Sequence, residues 1–361
     1  MILIDNVVGS TNIFIAIFLV VFLLSIGKQK DKKFFSVSVS QELKGFAILV
    51  IVFSHIGYSL STDHRFLFPL SIMAGVGVNL FLLLSGYGLT MSALRNNLSI
   101  DQFYRRRLPK LFIPFWLVIF AFFLLDFFIL KRSYDTSYII NSIFGIFPRG
   151  DLSSDLDSPL WYFTLILFYY LLFPLIFHRK YYWLSALMIY AVSFLFVKYE
   201  SNYFFNVIHL YKVHLLAFPL GIILAGICFN RERMEWVAGA IKKRLLYSQI
   251  SYYLILFSLV FMSGYFAYYS NVGGDPLKEE LASLLVSFAI LEIFLIKKVD
   301  LKLFSLFGFY SYEVYLLHWP IVSRYDLFYK SMPGWLATVL YLVLFIFLGW
   351  LLQKLQKTFV K

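Results

Sequence analysis

The chain has 361 residues, of which 61% are hydrophobic, 14% charged and 21% aromatic, and its formal net charge is +12 at pH 7. Because soluble domains are nearer half apolar and a quarter charged, this composition excludes a single water-facing domain and indicates a polytopic membrane protein. The positive charge does not indicate nucleic-acid binding, since the basic residues lie in short clusters between apolar runs, where membrane topology uses them.

Eleven apolar segments of spanning length follow one another, which predicts an all-α, polytopic membrane helix bundle. The first apolar run, Ile13 to Ile26, lacks a basic region before it and a small-residue cleavage site after it, so we interpret it as a spanning helix and not as a signal peptide. The predicted spans are residues 11–27, 43–60, 71–94, 108–130, 158–177, 182–198, 209–229, 246–268, 280–297, 303–323 and 333–353.

The loops test this count independently, because Lys and Arg collect on the cytoplasmic side of a membrane. Counted from the first span, every second loop is rich in basic residues, whereas the others carry few or balance them with acids. The alternation places the N-terminus outside and the C-terminus in the cytoplasm. The predicted cytoplasmic segments are KQKDKK, RNNLSIDQFYRRRLPK, HRK, RERMEWVAGAIKKR, KKVDLK and QKLQKTFVK.

The second span contains two residues that are costly inside a membrane, Lys44 and His55, in the stretch LKGFAILVIVFSHIGYS. Eleven residues of α-helix rise about 16 Å and turn three times plus about 20°, so both side chains lie on one face. The topology places Lys44 at the inner interface, where its ammonium group reaches the headgroups, and His55 deeper in the bilayer. An intramembrane histidine is a candidate functional residue; the alternative is a neutral imidazole that joins two helices through a hydrogen bond.

The third span, GVGVNLFLLLSGYGLTMS, enters from outside and places Asn79 near the depth of His55, with Ser85 and Tyr87 further in. Its glycines permit close helix packing. Packing alone does not explain the run of polar side chains along the same helix, so we expect them near a ligand.

The fourth span is preceded by the strongest basic feature of the chain, FYRRRLPKLFIPFW. Pro109 is typical of a helix start. The cations fit an anionic cytoplasmic cofactor, because guanidinium groups at a helix N-terminus bind phosphate well; the alternative is that they only set the topology. These residues are Arg105, Arg106, Arg107 and Lys110.

The tenth span, FGFYSYEVYLLHWPIV, contains a second group of polar residues. His318 lies at a depth similar to that of His55, and Tyr315 shares its helix face, whereas Glu313 lies about 140° away. Pro320 is expected to bend or end the helix. The alternatives are a carboxyl that ties two helices together at Glu313, and a hydrogen-bonded core imidazole at His318.

Five motifs in order now carry a family resemblance: LKGFAILVIVFSH, NLFLLLSGYGL, FYRRRLPKLFIPFW, PLWYFTLILFYYLLFP and GFYSYEVYLLHWP. Together they resemble the membrane acyltransferase-3 family of bacterial O-acyltransferases. The resemblance implies a ten-helix core within residues 43–361, and an extra N-terminal transmembrane helix with a basic cytoplasmic linker within residues 1–42. It also implies an acyl-CoA donor that enters from the cytoplasm, acetyl-CoA in the simplest case, and a cell-surface glycan or its lipid-linked precursor as acceptor.

The family's hallmarks fall on particular residues of this chain. A basic residue followed eleven positions later by a histidine corresponds to Lys44 and His55, and a spaced basic pair corresponds to Arg107 and Lys110. Lysine stands where arginine is commoner in both, and it cannot grip phosphate bidentately. Many members also carry acidic residues after the tryptophan that matches Trp161, whereas this chain has Ile166 and Leu167 there.

The resemblance implies a role for each polar group described above. His55 is then the general base toward a sugar hydroxyl, with transient acylation of His55 as the alternative. The implied donor-phosphate ligands are Lys44, Arg105, Arg106, Arg107 and Lys110. The implied candidates for oxyanion or substrate contact are Asn79, Ser85, Tyr87, Trp161, Glu313, Tyr315 and His318.

Two function classes remain open on the sequence. A proton-coupled transporter of a glycan or a small anionic solute also places His and Glu inside a helix bundle, but it should show paired broken helices in two related halves, which the sequence lacks. We expect no metal site, since the chain has one cysteine, Cys228. The acceptor sugar, the acyl length and the oligomeric state stay open.

Overall fold

The structure is a computed structural model that describes residues 2–29, 35–96, 99–151, 155–199, 203–204, 206–229, 249–269 and 275–359. Most of the basic segment KQKDKK, the whole basic loop at 231–244 and the first residues of the predicted span 246–268 lie outside the described residues. All the candidate site residues lie within them.

The described chain consists almost entirely of helices. Short π-helices cover His55–Leu60 and Ile321–Tyr325, and 3₁₀ turns cover Leu70–Ile72 and Ser158–Leu160. Two short strands, β1 (Ile26–Lys28) and β2 (Val299–Leu301), form the sheet described here. The α-helices are α1 (Val7–Leu24), α2 (Val37–Ser54), α3 (Ala74–Arg95), α4 (Ile100–Phe128), α5 (Thr136–Phe144), α6 (Trp161–Ile176), α7 (Tyr182–Lys198), α8 (Ile208–Lys212), α9 (Ala217–Phe229), α10 (Gln249–Tyr269), α11 (Pro276–Ile296), α12 (Lys302–Phe309), α13 (Ser311–Pro320) and α14 (Gly334–Phe359).

The predicted helical membrane bundle is confirmed. Each of the eleven predicted spans falls largely on helix where it is described, although the seventh is divided between α8 and α9. Eight helical segments in the described part are long and apolar enough to cross a membrane. Helix α7 has 17 residues and falls just below that length. Large apolar side chains such as Phe120, Phe128 and Phe257 are exposed, which suits a surface that faces lipid.

The tenth predicted span differs from the prediction of one continuous helix. It comprises α12 and α13, which meet at Tyr310, where the backbone angles (φ −105°, ψ 15°) are not helical. Pro320 ends α13, as its missing N–H group predicts, and the chain continues as the π-helix Ile321–Tyr325.

Helices α2 and α12 cross in direct backbone contact, which fixes the helix that carries Lys44 and His55. A β-carbon on Gly45 would lie 1.7 Å from the carbonyl oxygen of Phe304, and one on Gly308 would lie 1.7 Å from that of Gln41. Neither position therefore accepts a larger residue unless the helices separate.

A buried ion pair stabilises the same end of the bundle. The Nζ atom of Lys297 lies 2.7 Å from a carboxylate oxygen of Glu42 and donates a hydrogen bond to the carbonyl of Val299. The other carboxylate oxygen of Glu42 accepts from the Leu301 amide. These bonds anchor β2, which pairs with β1 in antiparallel register and so holds the end of α1 against the bundle.

Candidate active site

A cavity of about 610 Å³ lies inside the bundle and includes both Lys44 and His55 in its wall. Their spacing predicts one helix face, and the structure places both on this one cavity. Apolar and aromatic side chains make up much of the wall, with few charged groups, which is typical of a ligand site. The cations in the described wall are Lys44, Arg107 and Lys110.

Two histidines from different helices meet at the cavity. The Nδ1 atom of His55 lies 2.7 Å from the Nε2 atom of His318, and the two rings are nearly parallel. His55 begins the π-helix that follows α2, and His318 lies in the last turn of α13. Local widening of a helix to the π form is frequent at functional sites, because it re-aims side chains.

The hydrogen bonds fix which nitrogen of each histidine carries a proton. The Nδ1 atom of His318 lies 3.0 Å from the carbonyl of Val314 and 2.9 Å from that of Tyr315. Carbonyl oxygens only accept, so this Nδ1 carries the proton, and Nε2 of the neutral ring is an acceptor. His55 must then donate from Nδ1, which leaves its own Nε2 with an unprotonated lone pair.

That lone pair makes no hydrogen bond with any described group, and His55 lines the cavity. His318 is itself 1% exposed, so it supports His55 from behind. Trp319 packs edge-on against the His55 ring, with the ring centres 5.1 Å apart. The arrangement presents a neutral, oriented imidazole base to the cavity. The hydrogen bond also joins α2 to α13, as the structural alternative for His55 requires.

Helix α4 begins at Ile100, after the N-cap Ser99, so Pro109 lies inside the helix and does not mark its start as predicted. The basic cluster therefore lies within α4, where it separates into two groups. Arg107 and Lys110, one helical turn apart, line the cavity with Lys44, and none of these three forms an ion pair with an acid in the described part of the chain. Arg105 instead bonds Asp101 at 2.9 Å on an exposed surface, and Arg106 is exposed and outside the lining. Three like charges facing one space favour an anionic ligand there.

The other predicted site residues also divide by position. Ser85, Trp161 and Tyr315 line the cavity, and the Tyr315 hydroxyl donates to the carbonyl of Pro159. Asn79, Tyr87 and Glu313 lie outside the lining. Tyr87 stacks on Phe35 with ring centres 4.2 Å apart, and Glu313 is buried.

Asn79 contacts a cavity residue that the sequence analysis did not select. Its side-chain oxygen lies 2.8 Å from Nδ1 of His214, which lines the cavity and stacks on Trp161. His214 lies between α8 and α9, inside the predicted seventh span. The rule that selected His55 and His318, an ionisable residue within an apolar span, also applies to it.

A buried ion pair holds the chain at the far end of α4. Asp126 pairs with Arg324, and both are almost fully buried; the Tyr134 and Tyr325 hydroxyls also bond the Asp126 carboxylate. Arg324 donates as well to the carbonyl of Asp155, in the loop before α6. Burial raises the pKa of the Asp155 carboxyl, and it raises that of the neighbouring Asp157 well above its usual range.

The described residues contain no group of three or more His, Cys, Asp or Glu side chains placed to hold a metal ion. A family model described as an acyltransferase domain, from the acyltransferase-3 family, matches residues 43–354. The match starts at the residue before Lys44 and leaves α1 outside it. No curated protein and no solved structure matches the chain.

Proposed function

The chain belongs to the acyltransferase-3 family, as its motifs suggested, and from this premise we propose that it transfers an acetyl group from acetyl-CoA to a hydroxyl of a cell-surface glycan or its lipid-linked precursor. We place it in the bacterial cell membrane, with the donor entering from the cytoplasm, on the alternation of basic loops. The observation that carries the proposal is the unprotonated Nε2 of His55, on a cavity whose wall also contains three cations that have no acid partner among the described residues.

The donor site is assigned to Lys44, Arg107 and Lys110. The phosphates of coenzyme A carry negative charge, and these cations have no acid partner in the described residues, so binding the donor compensates them. Arg105 and Arg106 are exposed and lie outside the cavity lining, so the proposal keeps them out of this set. The helix rises about 16 Å from Lys44 to His55. The pantetheine arm runs along this distance and brings the thioester to His55.

The reaction follows from the orientation of His55. Its Nε2 atom takes the proton of the acceptor hydroxyl as the oxygen attacks the thioester carbonyl, forming a tetrahedral intermediate. The carbon–sulfur bond then breaks, and the imidazolium returns the proton to the departing thiolate, giving the ester and free coenzyme A. During the step the positive ring donates from Nδ1 to His318, which is held by two backbone carbonyls.

An acyl-histidine intermediate on the same Nε2 atom is the second form of the mechanism. In either form a negative oxygen develops on the thioester carbonyl. Of the two sequence-predicted candidates whose hydroxyls lie on the wall, Ser85 and Tyr315, we assign Ser85 to stabilise it, because the hydroxyl of Tyr315 already donates to Pro159.

The test is incubation of purified protein with labelled acetyl-CoA, with and without candidate glycans. We expect wild type to label the glycan, and His55→Ala to lose transfer while it still binds coenzyme A. His178→Ala is the matched control, since His178 lies outside the cavity lining. Full transfer by His55→Ala would refute the role of His55. Glycan uptake by proteoliposomes without acetyl-CoA, in the absence of transfer, would instead support the transporter.

A further inference from the structure

The cavity contains a second oriented imidazole. His214 is 4% exposed, lies in the cavity wall and stacks on Trp161 with ring centres 5.8 Å apart and planes inclined by 10°. The proposed chemistry at His55 does not use it. Its position raises the question of what its free nitrogen binds.

A chain of hydrogen bonds sets the tautomer of His214. The Ser283 hydroxyl donates to the carbonyl of Glu280, so its oxygen accepts from the Asn79 side-chain nitrogen at 2.8 Å. The Asn79 amide is thereby oriented with its oxygen toward His214, and this oxygen lies 2.8 Å from Nδ1 of His214. Nδ1 of His214 therefore carries the proton. Its Nε2 atom is a bare acceptor, with no hydrogen-bond partner in the described structure, and it is not sealed from the cavity.

His214 lies toward the end of the cavity opposite the cations. Arg107 is near the start of α4 and Asp126 near its end, nineteen residues and about 28 Å further along. Asp126 reaches the loop before α6 through Arg324, and Trp161 begins α6 directly after that loop. Trp161 and His214 thus mark the end distant from Arg107.

The described wall at this end has hydrogen-bonding groups and one carboxyl side chain, Glu279, in place of cations. It includes Ser158, Asn206, His209 and Ser283, beside the aromatic rings of Trp161 and Tyr162. Hydrogen-bonding groups without a cation, next to aromatic surface, suit an uncharged ligand rich in hydroxyl groups, whereas the basic end suits phosphate.

We propose that His214, held by Asn79, is a binding residue for the acceptor: its Nε2 atom accepts a hydrogen bond from a second hydroxyl of a neutral saccharide. This inference rests on the proposed function, because it needs a transferase with a hydroxyl acceptor. His214 orients the acceptor and takes no proton from the reacting hydroxyl, which is left to His55. Asn79 is a positioning residue that keeps the Nε2 lone pair directed into the cavity.

The test measures transfer from labelled acetyl-CoA to the envelope polysaccharide fraction purified from the source cells. For His214→Leu we expect the KM for polysaccharide to rise about tenfold, as the loss of one buried hydrogen bond predicts. The affinity for coenzyme A and the slow hydrolysis of acetyl-CoA in the absence of polysaccharide should stay within about twofold of wild type. His214→Gln keeps an acceptor oxygen, and we expect it to recover most of the loss.

The controls separate this inference from the proposed function. His178→Leu changes a histidine outside the cavity lining and should leave every parameter unchanged. An unchanged KM for polysaccharide in His214→Leu overturns the role of His214 while the transferase stands. Equal losses of coenzyme A binding and of transfer in His214→Leu and His214→Gln also overturn it, because they indicate a purely structural residue. If the wild-type protein binds coenzyme A but transfers no acetyl group, both proposals are overturned.

Discussion

Replacing His318 separates its proposed positioning role from simple packing. His318→Phe keeps an aromatic ring of similar size but removes the Nε2 acceptor that His55 bonds at 2.7 Å. The proton on His55 is then free to move between its two nitrogens, and the imidazolium formed during transfer loses its partner. His318→Gln keeps a carbonyl acceptor and serves as the matched variant.

The expected loss follows from the charge that His55 acquires. A hydrogen bond to a charged group contributes about 1.5–3 kcal/mol. At tenfold per about 1.4 kcal/mol, kcat of His318→Phe should fall about 10- to 150-fold. The whole contribution of a general base is about 10²–10⁴-fold, so this loss should not exceed that of His55→Ala.

The assay is steady-state transfer from labelled acetyl-CoA, with kcat and both KM values determined separately. Because His318 lies behind His55 and does not line the cavity, the KM for acetyl-CoA should stay near the wild-type value. His318→Gln should recover a large part of kcat. In a double-mutant cycle, adding His318→Phe to His55→Ala should cost nothing further, since the partner it supports is already absent.

Two outcomes would refute this reasoning. The first is a full additional loss in the double variant, which would mean that His318 acts independently of His55. The second is equal activity in His318→Phe and His318→Gln, which would show that the acceptor atom has no role. If both His318→Phe and His318→Gln also lost coenzyme A binding, this would indicate that His318 has only a structural role in the bundle.

Two further predictions concern the donor site and the helix crossing. Arg107→Gln should raise the KM for acetyl-CoA about 10- to 100-fold, because a charge-assisted contact to phosphate is lost, whereas Arg105→Gln, whose side chain bonds Asp101 outside the cavity, should change it less than about twofold. Equal effects of the two substitutions would contradict the assignment of the cavity cations. Gly308→Ala should destabilise the protein by about 1–3 kcal/mol or more and lower its melting temperature in detergent, since the new methyl group meets the Gln41 backbone. Gly264→Ala, with no atom within 4 Å of the added carbon, is its control, and equal melting temperatures would show that the crossing relaxes without cost.

The features predictable from sequence are those that depend on local geometry. Helical periodicity is a property of consecutive residues, so the shared face of Lys44 and His55 followed from their spacing, and both line one cavity. The membrane class followed from composition in the same way. The break at Tyr310 was not predictable in this way, because tyrosine is not a helix breaker and the nearby Gly308 lies within α12, where it allows the crossing with α2.

Pairing across the bundle lay beyond the sequence. His55 and His318 are 263 residues apart, and similar depth does not specify that they touch or through which nitrogen. The sequence likewise grouped Arg105 with Arg107. In the helix they lie on different faces: Arg105 pairs with Asp101 on the exposed surface, whereas Arg107 lines the cavity. His214 was detectable by type, yet its Asn79 partner lies 135 residues away and only the fold joins them.

The two ends of the cavity differ in charge, because the cations of its wall lie together at one end. Away from the cavity, the Glu42–Lys297 and Asp126–Arg324 pairs each place opposite charges together, as burial requires. In the cavity wall, Lys44, Arg107 and Lys110 face one space with no acid partner in the described residues. Like charges held together raise the free energy of the empty site, and an anion that enters there relieves this repulsion. Under the proposed function, a phosphate-bearing donor would therefore bind at this end, the end beside Trp161 would take a hydroxyl acceptor, and His55 would act between them.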